Sequence, residues 1–399
     1  MINQLTGGLE FPKRKENDNS DFDLDQSSKY DININFNPVP STLPLEERIN
    51  LIKLIGEEII REEDLKKLLT EKQFPICYDG FEPSGRLHIA EGIFRILNVN
   101  RLVKAGCVFV FWIADLFALM NNKMGGDLEK IKLVGRYYIE IWKAAGLDLR
   151  NVKFLWASEE INKNPKEYWS TVIDIASKTK LDRMKQCSQA IGRTNNEDYC
   201  FLQASHIFYP CMQITDILYL NVDICQLGLD QKEINVVAEE YYDKIKKDKP
   251  IIISHHMLIG LGIHASNQKM SKGDPENAIF MEDSIQEVKS KIIGSYFVEQ
   301  DINSPVVEYI KYIIFPVNSK FLLKREEKYG GNVEYTSYND FEKDFLAGET
   351  SPPDIKYSVI DAINAILEPV RKHFENDPYA KSLIESVKKF QIRYATPIH

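Results

Sequence analysis

Cysteine is scarce in this 399-residue chain, and the six present stand apart. Cys77, Cys107, Cys187, Cys200, Cys211 and Cys225 form no Cys-x-x-Cys pair. That spacing speaks against a zinc site or a disulfide framework and fits a reducing compartment. Long apolar runs are also missing. The longest, Cys107–Met120, contains Asp115 and is too short to cross a bilayer. The N-terminus has no apolar signal region, and its acidic character is unlike an Arg-rich transit peptide. The cytoplasm is the expected location, with no membrane partner. Positive charge is not in excess either: the formal net charge is −9. General coating of nucleic acid is therefore excluded, whereas a local basic face is not.

Apolar residues make up 44% of the chain, enough for a sizeable core. The length suits two or three domains. Residues 1–41 are rich in Asn, Asp and Ser and show little periodicity, which predicts a disordered or loosely ordered extension. Lys13-Arg14-Lys15 within it reads as a solvated cluster. From Pro44, Leu45, Ile49, Ile52, Leu54, Ile55 and Ile59 predict one amphipathic helix, and 64–69 a short second one.

An α/β alternation follows. Short apolar runs predict strands at 76–79, 108–114, 152–157, 222–227 and 251–254. Helical patterns separate them at 89–105, 128–145, 167–187, 207–220 and 231–244. The expected fold class is α/β, a Rossmann-type doubly wound parallel sheet, whose ligands bind beyond the carboxyl ends of the strands. Tyr78, Asp115 and the 228–231 turn fall at such ends. After Asp283 no strand is expected. Helices are predicted at 284–298, 304–315, 339–346 and 357–374, with one more in the tail. The expected division is thus an α/β domain over 42–290, with an insertion at about 128–190, followed by an all-helical C-terminal domain over 291–399.

Three stretches carry chemistry. In the first, a strand enters a turn at Pro83-Ser84-Gly85, and a helix leaves with apolar residues Ile89, Ile93, Ile96, Leu97 and Leu102. First-turn amides of such a helix can seat an anion, though an ordinary βα unit has the same outline. In the second, Lys269 and Lys272 sit in a small polar loop, Gln268–Asp274. Most such loops are simply solvated. In the third, Tyr209, Gln213 and Asp216 fall at i, i+4 and i+7 on one helix face, among apolar neighbours. A carboxylate there needs a polar partner, either internal or a ligand. His255-His256 lacks a third spaced ligand, so no metal site is expected. Lys178, Lys180, Arg183 and Lys185 suit either nucleic-acid phosphates or a solvated face.

The first two stretches together resemble the paired motifs of the class I aminoacyl-tRNA synthetases. His88-Ile89-Ala90-Glu91 is similar to their HIGH motif, with Ala for Gly and Glu for the second His. Lys269-Met270-Ser271-Lys272-Gly273 is similar to KMSKS, with Gly for the last Ser. Phe81-Glu82-Pro83-Ser84-Gly85, the helix Tyr209–Asp216 and the turn Gly228-Leu229-Asp230-Gln231 resemble the tyrosyl-tRNA synthetases of eukaryotes and archaea. That resemblance implies a tyrosine–tRNA ligase reaction. L-tyrosine is activated with ATP to tyrosyl-adenylate and pyrophosphate, then transferred to the terminal adenosine of tRNA(Tyr). It implies that Tyr78 and Asp216 take the phenol oxygen, Tyr209 and Gln213 the ammonium group, and Gln231 the reacting carboxylate. ATP is then expected against Gly80, Glu82, Gly85, His88, Ala90, Gly228, Asp230, Lys269, Met270, Ser271 and Lys272. His88, Lys269 and Lys272 are the expected catalytic groups. Mg2+ is expected to accompany the nucleotide, without a dedicated protein cage. Tyr329 and Asp354 match anticodon-reading positions, and the resemblance implies a homodimer joined through the insertion.

A tryptophanyl-tRNA synthetase shares these motifs, but Tyr78 and Asp216 argue against it, because an indole offers one donor and no acceptor. Retention of both lysines argues against a non-catalytic RNA-binding relative. A nucleotidylyltransferase with a HIGH-like motif would not need the C-terminal helices.

Overall fold

The computed structural model describes residues 36–190, 203–262, 270, 272 and 274–394. The chain divides into two compact units, residues 1–36 and 37–399, and the second is described here. Lys13-Arg14-Lys15 and most of the expected extension lie outside the described residues. Near the start of the second unit, Asn151 exchanges two hydrogen bonds with the Val39 backbone, at 2.7 and 2.8 Å. The Ser41 hydroxyl donates to Lys104 O at 2.7 Å.

A six-stranded sheet forms the frame. Its strands are β1 (Gly56–Ile60), β2 (Ile76–Phe81), β3 (Val108–Ile113), β4 (Val152–Trp156), β5 (Ile224–Gly228) and β6 (Ile251–His255), in the order β1-β6-β5-β2-β3-β4. All pairs are parallel except β1 with β6. The five strands predicted from apolar runs are present, with ends shifted by a residue or two. β3, β5 and β6 are buried along their whole length, as a sheet covered on both faces requires.

The helices of this half are α1 (Leu45–Lys53), α2 (Leu65–Glu71), α3 (Arg95–Lys104), α4 (Asp115–Met120), α5 (Leu128–Ala144), α6 (Ala157–Lys163), α7 (Pro165–Lys178), α8 (Leu181–Ala190), α9 (Ser205–Tyr219) and α10 (Lys232–Ile245). Two expectations fail here. The first predicted helix stops at Lys53, and Gly56–Ile60 forms the antiparallel edge strand, with Ile59 opposite Ile253. Over five residues the isoleucines satisfy either period, and pairing with β6 decided between them. The helix predicted over 167–187 is two helices, α7 and α8.

The remaining helices are α11 (Ile285–Gly294), α12 (Pro305–Tyr309), α13 (Phe315–Asn318), α14 (Tyr338–Leu346), α15 (Pro352–Asn376) and α16 (Pro378–Tyr394). The expectation of no further strands fails as well. β7 (Phe321–Leu323) and β8 (Val333–Tyr335) make a two-stranded antiparallel ribbon, its strands too short to leave a periodic signal. α15 begins earlier than predicted because Pro352-Pro353 opens it, with Ser351 as its cap. Among the described residues no helix is long and apolar enough to cross a membrane.

β2 is followed in sequence by β3 and β4 on one side, while β5 and β6 lie on the other. The strand order therefore reverses between β2 and β5, and a crevice opens beyond their carboxyl ends. The chain leaving β2 is pinned there by the segment 278–283. Ile89 N–H donates to Ile279 O at 2.8 Å and Met281 N–H to Leu87 O at 2.9 Å. A Cβ on Gly92 would run into the Met281 side chain, so a larger residue there requires Met281 to move. Arg86 adds charge to the seam, pairing with Glu282 at 2.6 Å and Asp283 at 2.7 Å. Lys291 meets the other oxygen of Asp283 at 2.6 Å, and Arg371 of α15 donates to its carbonyl at 2.7 Å.

Candidate active site

The crevice holds a cavity of about 630 Å³. Tyr78, Gly80, Glu82, His88, Ala90, Tyr209, Gln213, Asp216, Gly228, Asp230, Gln231, Met270 and Lys272 all line it. Residues predicted from separate stretches are thus brought to one place. Gly85 is not among the lining residues; its φ of 136° turns the chain between β2 and the helix that follows. Lys269 and Ser271 lie outside the described residues.

At one end, α9 presents Tyr209, Gln213 and Asp216 together, as their spacing predicted. Asp216 is fully buried and accepts from the Tyr168 hydroxyl at 2.5 Å on Oδ1. Its Oδ2 and the indole nitrogen of Trp112 are both buried without a well-formed hydrogen bond. Burial pushes the Asp216 carboxyl well above the usual range, while Tyr168 and Trp112 draw it back. Tyr78 is buried beside them, and burial followed by the Asp216 charge raises its phenol. Tyr209 donates to Glu82 Oε1 at 2.7 Å, and Asn121 reaches the same oxygen at 2.6 Å. Gln213 donates to Gln231 Oε1 at 3.3 Å. At the β5 turn, a Cβ on Gly228 would meet Asp230 Oδ1 at 2.5 Å and Met257 Sδ at 2.7 Å, so a larger residue there displaces these two side chains.

Between the two ends, Asp79 faces Arg95 at 3.3 Å. Burial raises the Asp79 carboxyl to about 7 despite that guanidinium. Arg95 also stacks over the Phe81 ring at 4.0 Å. Neither residue was singled out by sequence, where both sat in an apolar strand and an amphipathic helix.

At the other end, the Lys272 ammonium lies 2.7 Å from Glu91 Oε2, and donates to Tyr138 Oη at 2.7 Å and Ser84 Oγ at 3.3 Å. His88 Nδ1 accepts a long contact from Glu91 N–H at 3.4 Å, an arrangement that suits a ring proton on Nε2. Burial lowers the His88 imidazole to about 4, which leaves it neutral near pH 7. The first-turn amides do not stand open as expected. Helix α3 is preceded by a π turn over Ala90–Phe94, in which Glu91 and Gly92 N–H both donate to His88 O, at 3.0 and 2.8 Å. Ile89 N–H is spent on Ile279. Among the described residues, the His88 imidazole and Lys272 supply side-chain N–H donors at this end.

A family model described as "tRNA synthetases class I (W and Y)" matches residues 70–368. This chain belongs to the class I tRNA synthetases. It is 52% identical over 350 residues to the cytoplasmic tyrosine–tRNA ligase 1 of Arabidopsis thaliana, covering 87% of this chain and 90% of that one. Among solved structures, the Leishmania major tyrosyl-tRNA synthetase bound to tyrosinol superposes with a TM-score of 0.80 at 43% identity, over 88% of this chain. The chain spans 61% of that protein's length, and 50% of a second Arabidopsis cytoplasmic tyrosine–tRNA ligase that is 46% identical over 92% of this chain. The Pyrococcus horikoshii tyrosyl-tRNA synthetase, solved with L-tyrosine, matches at a TM-score of 0.78 and 32% identity, over 86% of this chain and all of its own.

Several other candidates in this synthetase have structural partners, and two of them, His255 and His256, also line the cavity. Asp115 is not part of the cavity lining; it ties the end of β3 to α6 through Ser158 N–H at 2.9 Å and Oγ at 2.5 Å. His255 meets Gln226 Nε2 at 2.5 Å, and His256 sits between Glu57 and Glu308, each at 3.1 Å. Among the described residues no group of three or more His, Cys, Asp or Glu could hold a metal ion. The basic stretch is largely neutralised in place. Lys178 pairs with Asp174, Arg183 with Glu233 and Glu240, and Lys185 with Asp182. Tyr329 is 64% exposed, in a loop turned by Gly330 at φ 101°. Asp354 stands in the first turn of α15 and accepts from the Ser351 hydroxyl at 2.7 Å. Arg325 joins the two regions, donating to Gly331 O at 2.7 Å and Glu349 O at 3.2 Å.

Proposed function

We propose that this synthetase is a tyrosine–tRNA ligase acting through the cavity between β2 and β5. The observation that carries the reading is the unpaired Oδ2 of buried Asp216 on the cavity wall, beside the Tyr78 phenol. A substrate phenol can donate to that oxygen, beside the bond Asp216 already accepts from Tyr168 on Oδ1. An indole could also donate to it, but offers nothing back to a neighbouring hydroxyl donor. Tyr209, Gln213 and the Glu82 carboxylate suit an ammonium group nearby, and Gln231 suits the carboxylate.

In the first step a tyrosine carboxylate oxygen attacks the α-phosphorus of ATP. The bond from that phosphorus to the bridging oxygen breaks, and pyrophosphate leaves with the electron pair. Alignment and charge neutralisation supply the rate, and no side chain needs to exchange a proton. Lys272 faces the leaving pyrophosphate, and the motif assigns Lys269 to the same group. The His88 Nε2–H donates to phosphate oxygens as a neutral group. Gly228 and Asp230 receive the ribose, and Gly80, Ala90 and Met270 complete the nucleotide's walls. In the second step the terminal adenosine hydroxyl of tRNA(Tyr) attacks the tyrosyl carbonyl carbon and AMP leaves.

Mg2+ arriving with ATP is held by phosphate oxygens and water in this reading, because the described residues supply no cage. The division near residue 290 separates this chemistry from an anticodon module in which Tyr329 stacks and Asp354 accepts from a base edge. The insertion at about 128–190 joins two copies. Exposed Trp169 and Ile173, one turn apart on α7, and Leu181 on α8 support that surface. The cytoplasmic name of the Arabidopsis relative supports the same location here.

ATP–pyrophosphate exchange, run with each amino acid in turn, tests the reading. Tyrosine alone is expected to support exchange. Exchange driven by tryptophan instead, or by none, overturns it.

A further inference from the structure

Glu91 stands where the related motif has its second histidine, and it is not idle. Its Oε2 lies 2.7 Å from Lys272 Nζ and 3.7 Å from His88 Nε2. Lys272 completes its shell with Tyr138 and Ser84, and its side chain is only 16% exposed. The ammonium that a departing pyrophosphate needs is thus already held by an internal anion.

We infer that Glu91 is a positioning residue that occupies Lys272 in the nucleotide-free enzyme as a substitute for a phosphate oxygen, so that triphosphate binding exchanges one anion for another on the same ammonium. The inference rests on Lys272 serving the pyrophosphate side of the proposed reaction. A carboxylate on Lys272 keeps the lysine docked in the cavity before ATP arrives. Once phosphate oxygens approach, the two anions repel, which weakens binding of ATP and of pyrophosphate alike. After the bridging bond has broken, Glu91 recaptures the ammonium as pyrophosphate departs. Burial alone would raise the Glu91 carboxyl, but Lys272, then His88 and Arg95, hold it at about 2. It stays anionic across the physiological range, so the competition is present throughout.

Glu91→Gln keeps the shape and removes the charge. Calorimetry on the full chain should then find ATP and pyrophosphate each bound more tightly, on the order of tenfold, with tyrosine affinity unmoved. A merely structural role would loosen both or change neither. Glu91→Asp retains the charge and should tighten ATP less than Glu91→Gln does. Tyr138→Phe removes a neutral acceptor from Lys272 and from the Ser84 N–H while leaving Glu91 in place, and keeps the test open if Glu91→Gln does not fold; ATP should bind it no tighter than wild type. ATP binding to Glu91→Gln at or below wild-type affinity, equal tightening by Asp and Gln, or tightening by Tyr138→Phe overturns the inference. A wild-type enzyme that binds ATP but shows no tyrosine-dependent exchange overturns the proposed reaction instead, and leaves the calorimetric comparison standing.

Discussion

The Tyr168 hydroxyl donates to Asp216 Oδ1 at 2.5 Å, across 48 residues of sequence. This bond fixes which oxygen of Asp216 stays available to the cavity. Tyr168→Phe removes it and frees both oxygens of a buried carboxyl, which burial then raises further. Tyrosine KM should rise while ATP KM stays put, by roughly the 0.5–1.5 kcal/mol that a typical intramolecular hydrogen bond contributes. Asp216→Ala should go further and erode discrimination against phenylalanine. Sites that hydrogen-bond a substrate hydroxyl reject its absence by about 10⁴–10⁵, a figure taken from enzymes of this very family and not from the geometry here. An unchanged tyrosine-to-phenylalanine ratio in Asp216→Ala would sink the assignment.

Lys272 bears on the transition state more than on the ground state. Lys272→Ala should depress tyrosyl-adenylate formation by about two orders of magnitude or more, with little change in tyrosine affinity. The single-turnover rate of adenylate formation is the measurement. A wild-type rate would mean that Lys272 does not meet the pyrophosphate. The variant also strands Glu91 without its cation, so its melting temperature should fall.

His256 gives the fold a pH dependence of known sign. Burial opposes its charged form, but Glu308 and Glu57 outweigh burial and raise its pKa above 6.5. A raised folded pKa stabilises most below the unfolded value, and that contribution is lost as pH climbs through the folded pKa. His256→Gln should therefore cost more melting temperature at roughly pH 5.5 than at roughly pH 8.5. A constant difference between wild type and variant would show that the imidazole is not charged in the folded protein.

Tyr329 and Asp354 lie in the C-terminal region, whereas the cavity is lined by residues of the sheet half. Adenylate formation needs only tyrosine and ATP, so Tyr329→Ala should leave pyrophosphate exchange intact. Charging should need more tRNA, by about 1–3 kcal/mol for one lost base contact. Asp354→Ala should also narrow the preference for the cognate anticodon base. Charging of two transcripts differing only at that base decides the matter. Equal preference in wild type and Asp354→Ala would leave Asp354 as the helix-start residue that Ser351 caps.

The sequence by itself determined most of the parallel core of the sheet, because short, largely apolar runs bounded by turns mark its strands. It also determined that Tyr209, Gln213 and Asp216 share a face, since 3.6 residues per turn leaves no alternative once α9 is a helix. The motifs around His88 and Lys272 were legible as short local patterns. Whatever depended on pairing over long separations was not. Gly56–Ile60 became a strand only because β6 had a free edge. Arg95 meets Asp79, Tyr168 meets Asp216 and Glu91 meets Lys272 across gaps in which no periodicity links the partners. Gly92 looked like a helix interior residue until Met281 was packed against it. Tertiary structure alone decided these, because a buried charge or hydroxyl takes its partner from whatever the packing brings within 3 Å, and sequence distance does not enter that choice.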